Sequence, residues 1–257
     1  MAGRIALGVD GDRAIQDSRF RENCGRDSND ACLQCNLGDL AFCHGLPASE
    51  FRGLMAIQGC IRATPQETLF NEGDPANYLY SPLSGAVKIY KLMADGRRQI
   101  TGFFFRGDLF GFSPNGLHGY TAEAITMTSL CRFPVAKMEQ LYPNAPTLAR
   151  EVLRRSMIKL AHFHEHTLLL GRKSAPEKLA SFLLSLSQRA VERGDSASPV
   201  LIPMGRSDVA DYLGLTIETV SRTLTKFKVS GLLELPNPST VALRDPAALR
   251  QIADGGF

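Results

Sequence analysis

The sequence lacks the features that mark several common classes of protein. No apolar run reaches the roughly 18–20 residues that a membrane-spanning helix needs. The stretch Met1–Asp10 lacks the longer apolar core and the small-residue cleavage pattern of a secretory signal. No nucleophile–base pairing, phosphate loop or catalytic acid pair emerges from the chain. We therefore expect a cytoplasmic protein that has no membrane partner and is not an enzyme.

A strong excess of charge of one sign is also missing. The 257 residues carry a formal net charge of only +3 at pH 7. This balance permits DNA binding without arguing for it, because a DNA-binding protein needs only a local basic face. With 44% hydrophobic and 21% charged residues, the composition is that of a globular protein with one large core or two smaller ones.

Cysteine, by contrast, is plentiful, with six residues in a chain expected to be cytoplasmic. Structural disulfides are rare in that compartment, so metal binding or redox chemistry is the leading explanation. Two residues separate Cys32 from Cys35, seven more precede Cys43, and Cys131 lies far downstream. Four thiolates suit a [4Fe–4S] cluster, but zinc sites also use the first spacing. The spacing alone leaves open an iron–sulfur cluster, a zinc site or a thiol switch formed by Cys32 and Cys35.

The region from about Thr64 to Phe133 is typical of a β domain. Short β-type runs alternate there with turn signals at fairly regular intervals. The turns are Gly73-Asp74, Ser84-Gly85, Asp95-Gly96 and Gly107-Asp108. Regular short strands with such turns predict a sandwich or barrel of the jelly-roll type.

A long amphipathic helix is predicted from about Pro146 to Arg172. Its apolar residues recur every three or four positions, at Leu153, Met157, Leu160, Phe163, Thr167 and Leu170. Such a stripe predicts a dimerisation seam like that of a short coiled coil. The alternative is that the stripe packs only on its own barrel. We expect His162, His164 and His166 to lie on a solvated helix face and not in a metal site.

The C-terminal part predicts a winged helix-turn-helix. Ser174 precedes Pro176 and Glu177, which is a helix start signal. A short helix over 208–213 follows later, then Gly214 in a tight turn, and Thr216 as the N-cap of a second helix. Two β-type runs, at 232–235 and 240–243, complete the wing.

The second of these helices has one apolar and one polar face. We expect the apolar face to consist of Ile217, Val220, Leu224 and Phe227. The polar face carries Glu218, Ser221, Arg222, Thr225 and Lys226. An arginine can bind guanine with two hydrogen bonds, a glutamate can accept one from cytosine, and lysines bind phosphates. The alternative is an ordinary Glu218–Arg222 pair on a solvated face.

The order of barrel, long helix and winged helix-turn-helix resembles the cyclic-AMP receptor/FNR superfamily. The segment 215–222 is similar to the recognition helix of its FNR branch, and segments 68–70, 99–103 and 107–112 match as well. The resemblance implies an α+β fold with a cyclic-nucleotide-binding-like jelly roll. We expect four parts, namely a cysteine-bearing segment (1–46), a β-barrel sensor domain (47–143), a dimerisation helix with hinge (144–173) and a winged helix-turn-helix domain (174–257).

The resemblance also implies a function. It predicts a homodimer that works with RNA polymerase and reads a site like TTGAT-N4-ATCAA with Glu218, Ser221 and Arg222, assisted by Thr216 and Lys226. FNR regulators similarly hold a [4Fe–4S] cluster with three N-terminal cysteines and one central cysteine, which predicts Cys32, Cys35, Cys43 and Cys131 as ligands and low oxygen as the activating condition. The seven-residue spacing before Cys43 departs from the usual five.

Several points of this interpretation have alternatives. Segments 111–113 and 120–122 lack the acid and the arginine with which nucleotide-binding members hold their ligand, so no cyclic nucleotide is expected. Cys24 could substitute as a cluster ligand, and Cys60 is expected to be a small core residue. The alternative function is a zinc-stabilised or thiol-redox regulator of the same fold that senses another signal.

Overall fold

The computed structural model describes residues 37–256. Among these residues, no helix has the length and apolar character required to cross a bilayer. The helices are α1 (Ala48–Ile57), α2 (Val135–Leu141), α3 (Pro146–Arg172), α4 (Ala175–Glu192), α5 (Arg206–Leu213), α6 (Ile217–Val229) and α7 (Pro246–Ala253), with short 3-10 turns at Gly38–Leu40 and Tyr142–Asn144. The strands are β1 (Gly59–Ala63), β2 (Thr68–Phe70), β3 (Tyr78–Ser84), β4 (Ala86–Leu92), β5 (Arg98–Phe105), β6 (Thr121–Ala124), β7 (Thr128–Pro134), β8 (Val200–Leu201), β9 (Leu233–Asn237) and β10 (Thr240–Leu243).

The first seven strands form the predicted jelly roll. One antiparallel sheet has the order β1-β7-β3 and the other β2-β6-β4-β5. Apolar side chains of both sheets meet inside, including Ile61, Phe70, Val87, Ile89, Phe104, Phe110 and Leu130. Because side chains alternate across each strand, the same sheets leave their other faces to contact helices. The prediction of a barrel in this region is confirmed.

The segment before the barrel packs onto it. Phe42 is 2% exposed, and its ring meets that of Phe133 edge-on with centroids 5.0 Å apart. The two rings share a core cluster with Leu54 of α1 and Leu148 of α3. Glu50 of α1 also caps α3, since its Oε2 accepts a hydrogen bond from the backbone N of Leu148 at 2.8 Å. Neither α1 nor α2 was predicted from the sequence.

Helix α3 has the predicted bounds, and its apolar stripe is largely exposed. Leu153, Met157 and Leu160 are 62%, 59% and 47% exposed. The stripe therefore does not pack on its own barrel. The expectation of a solvated histidine face is wrong for His166, which is 7% exposed. Its ring stacks on Tyr212 at 4.0 Å, and its Nε2 lies 2.8 Å from the Tyr212 carbonyl oxygen.

The C-terminal part has the predicted winged helix-turn-helix. Ser174 and Glu177 form a capping box at the start of α4. Gly214 ends α5 with φ of 61°, a left-handed conformation that favours glycine. The Thr216 hydroxyl then caps α6 by accepting a hydrogen bond from the Thr219 backbone N. Strands β8, β10 and β9 form the wing sheet, and α7, which was not predicted, follows it.

A buried polar interface joins the barrel to the helix-turn-helix. Lys88 of β4 reaches across it, and its Nζ lies 3.0 Å from both Glu123 Oε1 and Asp208 Oδ1. Arg98 Nη2 of β5 lies 2.8 Å from Asp208 Oδ1 and 2.8 Å from Asp211 Oδ2. Since Asp208 and Asp211 belong to α5, these contacts fix the first helix of the motif on the barrel, and α6 packs against that helix.

Candidate DNA-reading surface and cysteine site

Helix α6 buries its apolar face against the C-terminal core and exposes its polar face to solvent. Val220, Leu224 and Phe227 are at most 3% exposed and join the core of the C-terminal part. Ile217, which was predicted to join them, is instead 48% exposed at the first turn. Ile217 is the first residue of α6, so fewer neighbouring residues surround it than surround the later apolar positions.

The predicted DNA-reading residues share the exposed face of α6. Glu218, Ser221, Arg222, Thr225 and Lys226 are all exposed. The pKa of Glu218 is held below its usual range, first by the helix N-terminal backbone N–H, then by the Thr216 hydroxyl and the charge of Arg222. Glu218 is therefore a carboxylate near neutral pH and can only accept hydrogen bonds. The face offers an acceptor, a hydroxyl and a guanidinium in adjacent turns, which is what base edges in the major groove require.

Two of the four predicted cluster ligands lie at one cavity. Cys131 is in the middle of β7, with Cys60 of β1 and Ser81 of β3 directly opposite it in the sheet. Cys43 lies in the turn after the first 3-10 helix. Both cysteines line a cavity of about 170 Å³. Its other lining residues include Leu37, Ala41, Phe42, Phe51, Met55, Leu83 and Phe133. Cys32 and Cys35, and also Cys24, lie outside the described residues.

The cavity suits a thiolate-held inorganic cluster. Thiolates are the usual ligands of iron–sulfur clusters, and an apolar shell limits access of water to such a site. The side chain of Gln58 is buried, and its Nε2 donates a hydrogen bond to Cys131 Sγ at 3.3 Å. Hydrogen bonds to sulfur help to set the reduction potential of such clusters. Sequence reasoning missed Gln58, because its contact with Cys131 bridges distant parts of the chain.

The described residues do not contain a complete metal site. Within 37–256, no three or more His, Cys, Asp or Glu side chains are grouped to hold a metal ion. Of the four predicted cluster ligands, only Cys43 and Cys131 lie within this range. Cys60 differs from the prediction that it is a core residue, because it is half-buried on the edge strand β1 and is disulfide-bonded in this structure.

Comparisons with known proteins agree with the order of the parts. The family description "Cyclic nucleotide-binding domain" matches residues 60–144, and "Crp-like helix-turn-helix domain" matches residues 177–252. The nitrogen fixation regulation protein FixK of Bradyrhizobium diazoefficiens is 37% identical over 222 residues, which cover 86% of this chain and 93% of that protein. The chain belongs to the CRP/FNR family of transcription regulators.

Two further matches come from the same family. The fumarate and nitrate reduction regulatory protein of Escherichia coli strain K12 is 36% identical over 189 residues, covering 73% of this chain and 75% of that one. The solved structure of FixK2 from Bradyrhizobium japonicum matches with a TM-score of 0.72 and 36% identity, over 76% of this chain and 97% of that chain. Like its Crp-like relatives, this CRP/FNR regulator binds DNA through a helix-turn-helix.

Segments 111–113 and 120–122, which lack the expected nucleotide-binding residues, make other contacts in this CRP/FNR member. The backbone N of Gly111 donates a hydrogen bond to the Tyr120 hydroxyl at 3.0 Å, and Thr121 Oγ1 accepts one from the backbone N of Glu72 at 3.0 Å. These groups hold loops together, and segments 111–113 and 120–122 themselves contain neither an acidic residue for a ribose nor an arginine for a phosphate. That no cyclic nucleotide binds here stays a prediction.

Proposed function

We propose that this CRP/FNR regulator is oxygen-responsive and holds a [4Fe–4S] cluster with Cys32, Cys35, Cys43 and Cys131. The observation that supports this most directly is that Cys43 and Cys131, far apart in sequence, line one apolar cavity. When bound, the cluster supplies the reactivity toward oxygen. The protein is then active in the cytoplasm under low oxygen, where it controls anaerobic or microaerobic gene expression.

Contacts of the cysteine segment offer a route from the sensor to the long helix. Leu40 lies against Gly107, where a Cβ atom added to the glycine would come within 2.8 Å of the Leu40 carbonyl oxygen. Arg155 of α3 donates a hydrogen bond through Nη1 to the Gly107 carbonyl oxygen at 2.7 Å. Release of the cysteine segment would therefore remove contacts at Gly107, to which α3 is hydrogen-bonded. Helix α3 carries the exposed apolar stripe, so its position could change.

DNA recognition and dimerisation follow from α6 and α3. Glu218, Ser221 and Arg222 contact bases in each half of a site resembling TTGAT-N4-ATCAA, while Thr216 and Lys226 contact the backbone. The exposed stripe of α3 pairs with that of a second copy, and the dimer engages RNA polymerase to activate transcription. We accordingly divide the chain into the cysteine segment (1–46), the barrel (47–143), the dimer helix with hinge (144–173) and the DNA-binding domain (174–257).

The test is purification of the full chain without oxygen, followed by iron and sulfide assays and measurement of DNA affinity before and after exposure to air. We expect four irons per subunit, lost in air together with DNA affinity. Cys43→Ser should lose both the iron and the anaerobic DNA binding, whereas Cys60→Ser should retain both. Anaerobic DNA binding that survives Cys43→Ser unchanged would contradict the proposal.

One alternative has a specific observation in its favour. Cys60 of β1 is disulfide-bonded in this structure, which supports a thiol-based redox regulator. That function predicts a protein without iron whose response to air is lost in Cys60→Ser. A zinc-stabilised regulator would give a different result in the same experiment. It would contain no iron and would keep its DNA affinity in air, because zinc is colourless and its site is indifferent to air.

A further inference from the structure

A cleft remains that neither DNA reading nor the cysteine site uses. It has a volume of about 310 Å³ and lies where the N-terminal segment, the turn after β5, the middle of α3 and the end of α4 meet. Leu40, Gly107 and Ile158 contribute to its walls. It is lined neither by the nucleotide-binding positions 111–113 and 120–122 nor by the exposed face of α6.

Six cations line this cleft, and they share few carboxylates. Each of three acids bridges two of them, as follows: Asp108 contacts Lys159 at 2.6 Å and Arg189 at 2.7 Å, Glu151 contacts Arg154 at 2.7 Å and Arg155 at 2.8 Å, and Asp195 contacts Arg106 at 3.4 Å and Arg193 at 3.3 Å. Asp39 and Glu192 also line the cleft, so six cations face five carboxylates in all. Asp39 is 91% exposed and pairs with His44, and Glu192 accepts a hydrogen bond from Gln188. The cleft therefore has surplus positive charge.

The surplus charge is partly withdrawn from water. The side chains of Lys159, Arg189 and Arg193 are only 14%, 16% and 15% exposed. Burial lowers the pKa of Lys159 to about 8, and the positive charge of Arg189 adds to this although Asp108 opposes it. Burial and Arg189 likewise lower the pKa of Arg193. A group of cations that destabilise one another in a shielded cleft gains free energy when an anion enters.

We propose that this cleft binds a small anion that carries phosphate groups. Guanidinium groups bind phosphate oxygens with two parallel hydrogen bonds, and five of the six cations are arginines. The volume is at the lower end of small-molecule pockets, so it suits a compact ligand and not a nucleic acid strand. Because its walls come from the barrel, α3 and α4, an occupant would tie the DNA-binding domain to the rest of the protein.

The test is a titration of the full chain with pyrophosphate, followed by calorimetry and by the thermal unfolding temperature. We expect saturable binding at one site per subunit and a rise in that temperature. Arg154→Gln and Arg106→Gln each remove a partly exposed cation from the cleft and should weaken pyrophosphate at least about fivefold. Arg172→Gln is the matched control, since it removes an exposed arginine of α3 outside the cleft, and it should bind like the unmodified protein.

The DNA-reading face is the competing location for the same anion. A double variant, Arg222→Gln with Lys226→Gln, should keep the pyrophosphate affinity if the cleft is the site. The proposal is overturned if that double variant loses the affinity while Arg154→Gln and Arg106→Gln retain it, or if no saturable binding occurs. Size-exclusion chromatography of each variant ensures that oligomers of equal size are compared.

Discussion

Arg222 is the residue on which the proposed reading of a DNA sequence depends most directly. It is exposed on α6, one turn after Glu218, while the buried Val220 and Leu224 hold the helix from behind. A guanidinium reads guanine through its N7 and O6 atoms, whereas a lysine on the same face contacts phosphates and carries no sequence information. Arg222 and Lys226 should therefore fail in different ways when they are removed.

We predict that Arg222→Ala relaxes specificity at the guanine of each half-site, at a cost of about 1–3 kcal/mol per half-site. Lys226→Ala, the matched control, should weaken binding to all sequences about equally and reduce the salt dependence of binding. Anaerobic affinity measurements with the symmetric site, and with a site whose guanines are replaced, check both effects. Equal loss of affinity for both DNAs in Arg222→Ala would rule out base reading by this side chain.

The helices show which elements local sequence could predict. The capping box at Ser174 and the Gly214–Thr216 turn act over three or four residues, so their signals are complete within the sequence around them. By contrast, α1 and α2 lack a side-chain cap of their own and are stabilised by packing on the barrel. The burial of His166 depends on Tyr212, and Gln58 depends on Cys131, which are long-range contacts. Periodicity cannot show such partners.

Helix α3 presents an apolar stripe that its own barrel leaves uncovered, and we predict that Met157→Glu prevents dimerisation. A carboxylate in the middle of a paired apolar seam would be buried without a partner. Met127→Glu is the matched control, since Met127 lies in the turn before β7 and is 59% exposed, the same fraction as Met157. Analytical ultracentrifugation measures the outcome. If both variants have the molecular mass of the unmodified protein, the stripe is not the dimer seam.

At the scale of the whole molecule, DNA reading requires α6 to have a fixed orientation relative to the barrel. The polar contacts of Lys88, Arg98 and Gln99 with α5 provide that constraint. Gln99 Nε2 donates a hydrogen bond to the Asp211 carbonyl oxygen at 2.6 Å. Near the C-terminal end of α5, the ring of Tyr212 stacks on His166 of α3. Helix α5 thus contacts both the barrel and α3. Because α6 packs against α5, a movement of either the barrel or α3 would change the position of α6.

We predict that Lys88→Met destabilises the protein by up to about 3–5 kcal/mol and weakens DNA binding, because it removes the cation shared by Glu123 and Asp208, whose side chains are only 13% and 10% exposed. Arg98 still pairs with Asp208, so most of the loss comes from Glu123. Lys91→Met is the matched control on the same strand. Lys91 and its partner Glu72 are 53% and 41% exposed, so loss of that pair should cost at most about 1 kcal/mol. Denaturant unfolding measures the stability of both variants.

Since Lys88 and Asp208 belong to different domains, the free energy of coupling between them can be isolated by adding Asp208→Asn. The double variant should lose less than the sum of the single variants. Strict additivity, or equal losses for Lys88→Met and Lys91→Met, would show that this contact does not hold α5 to the barrel.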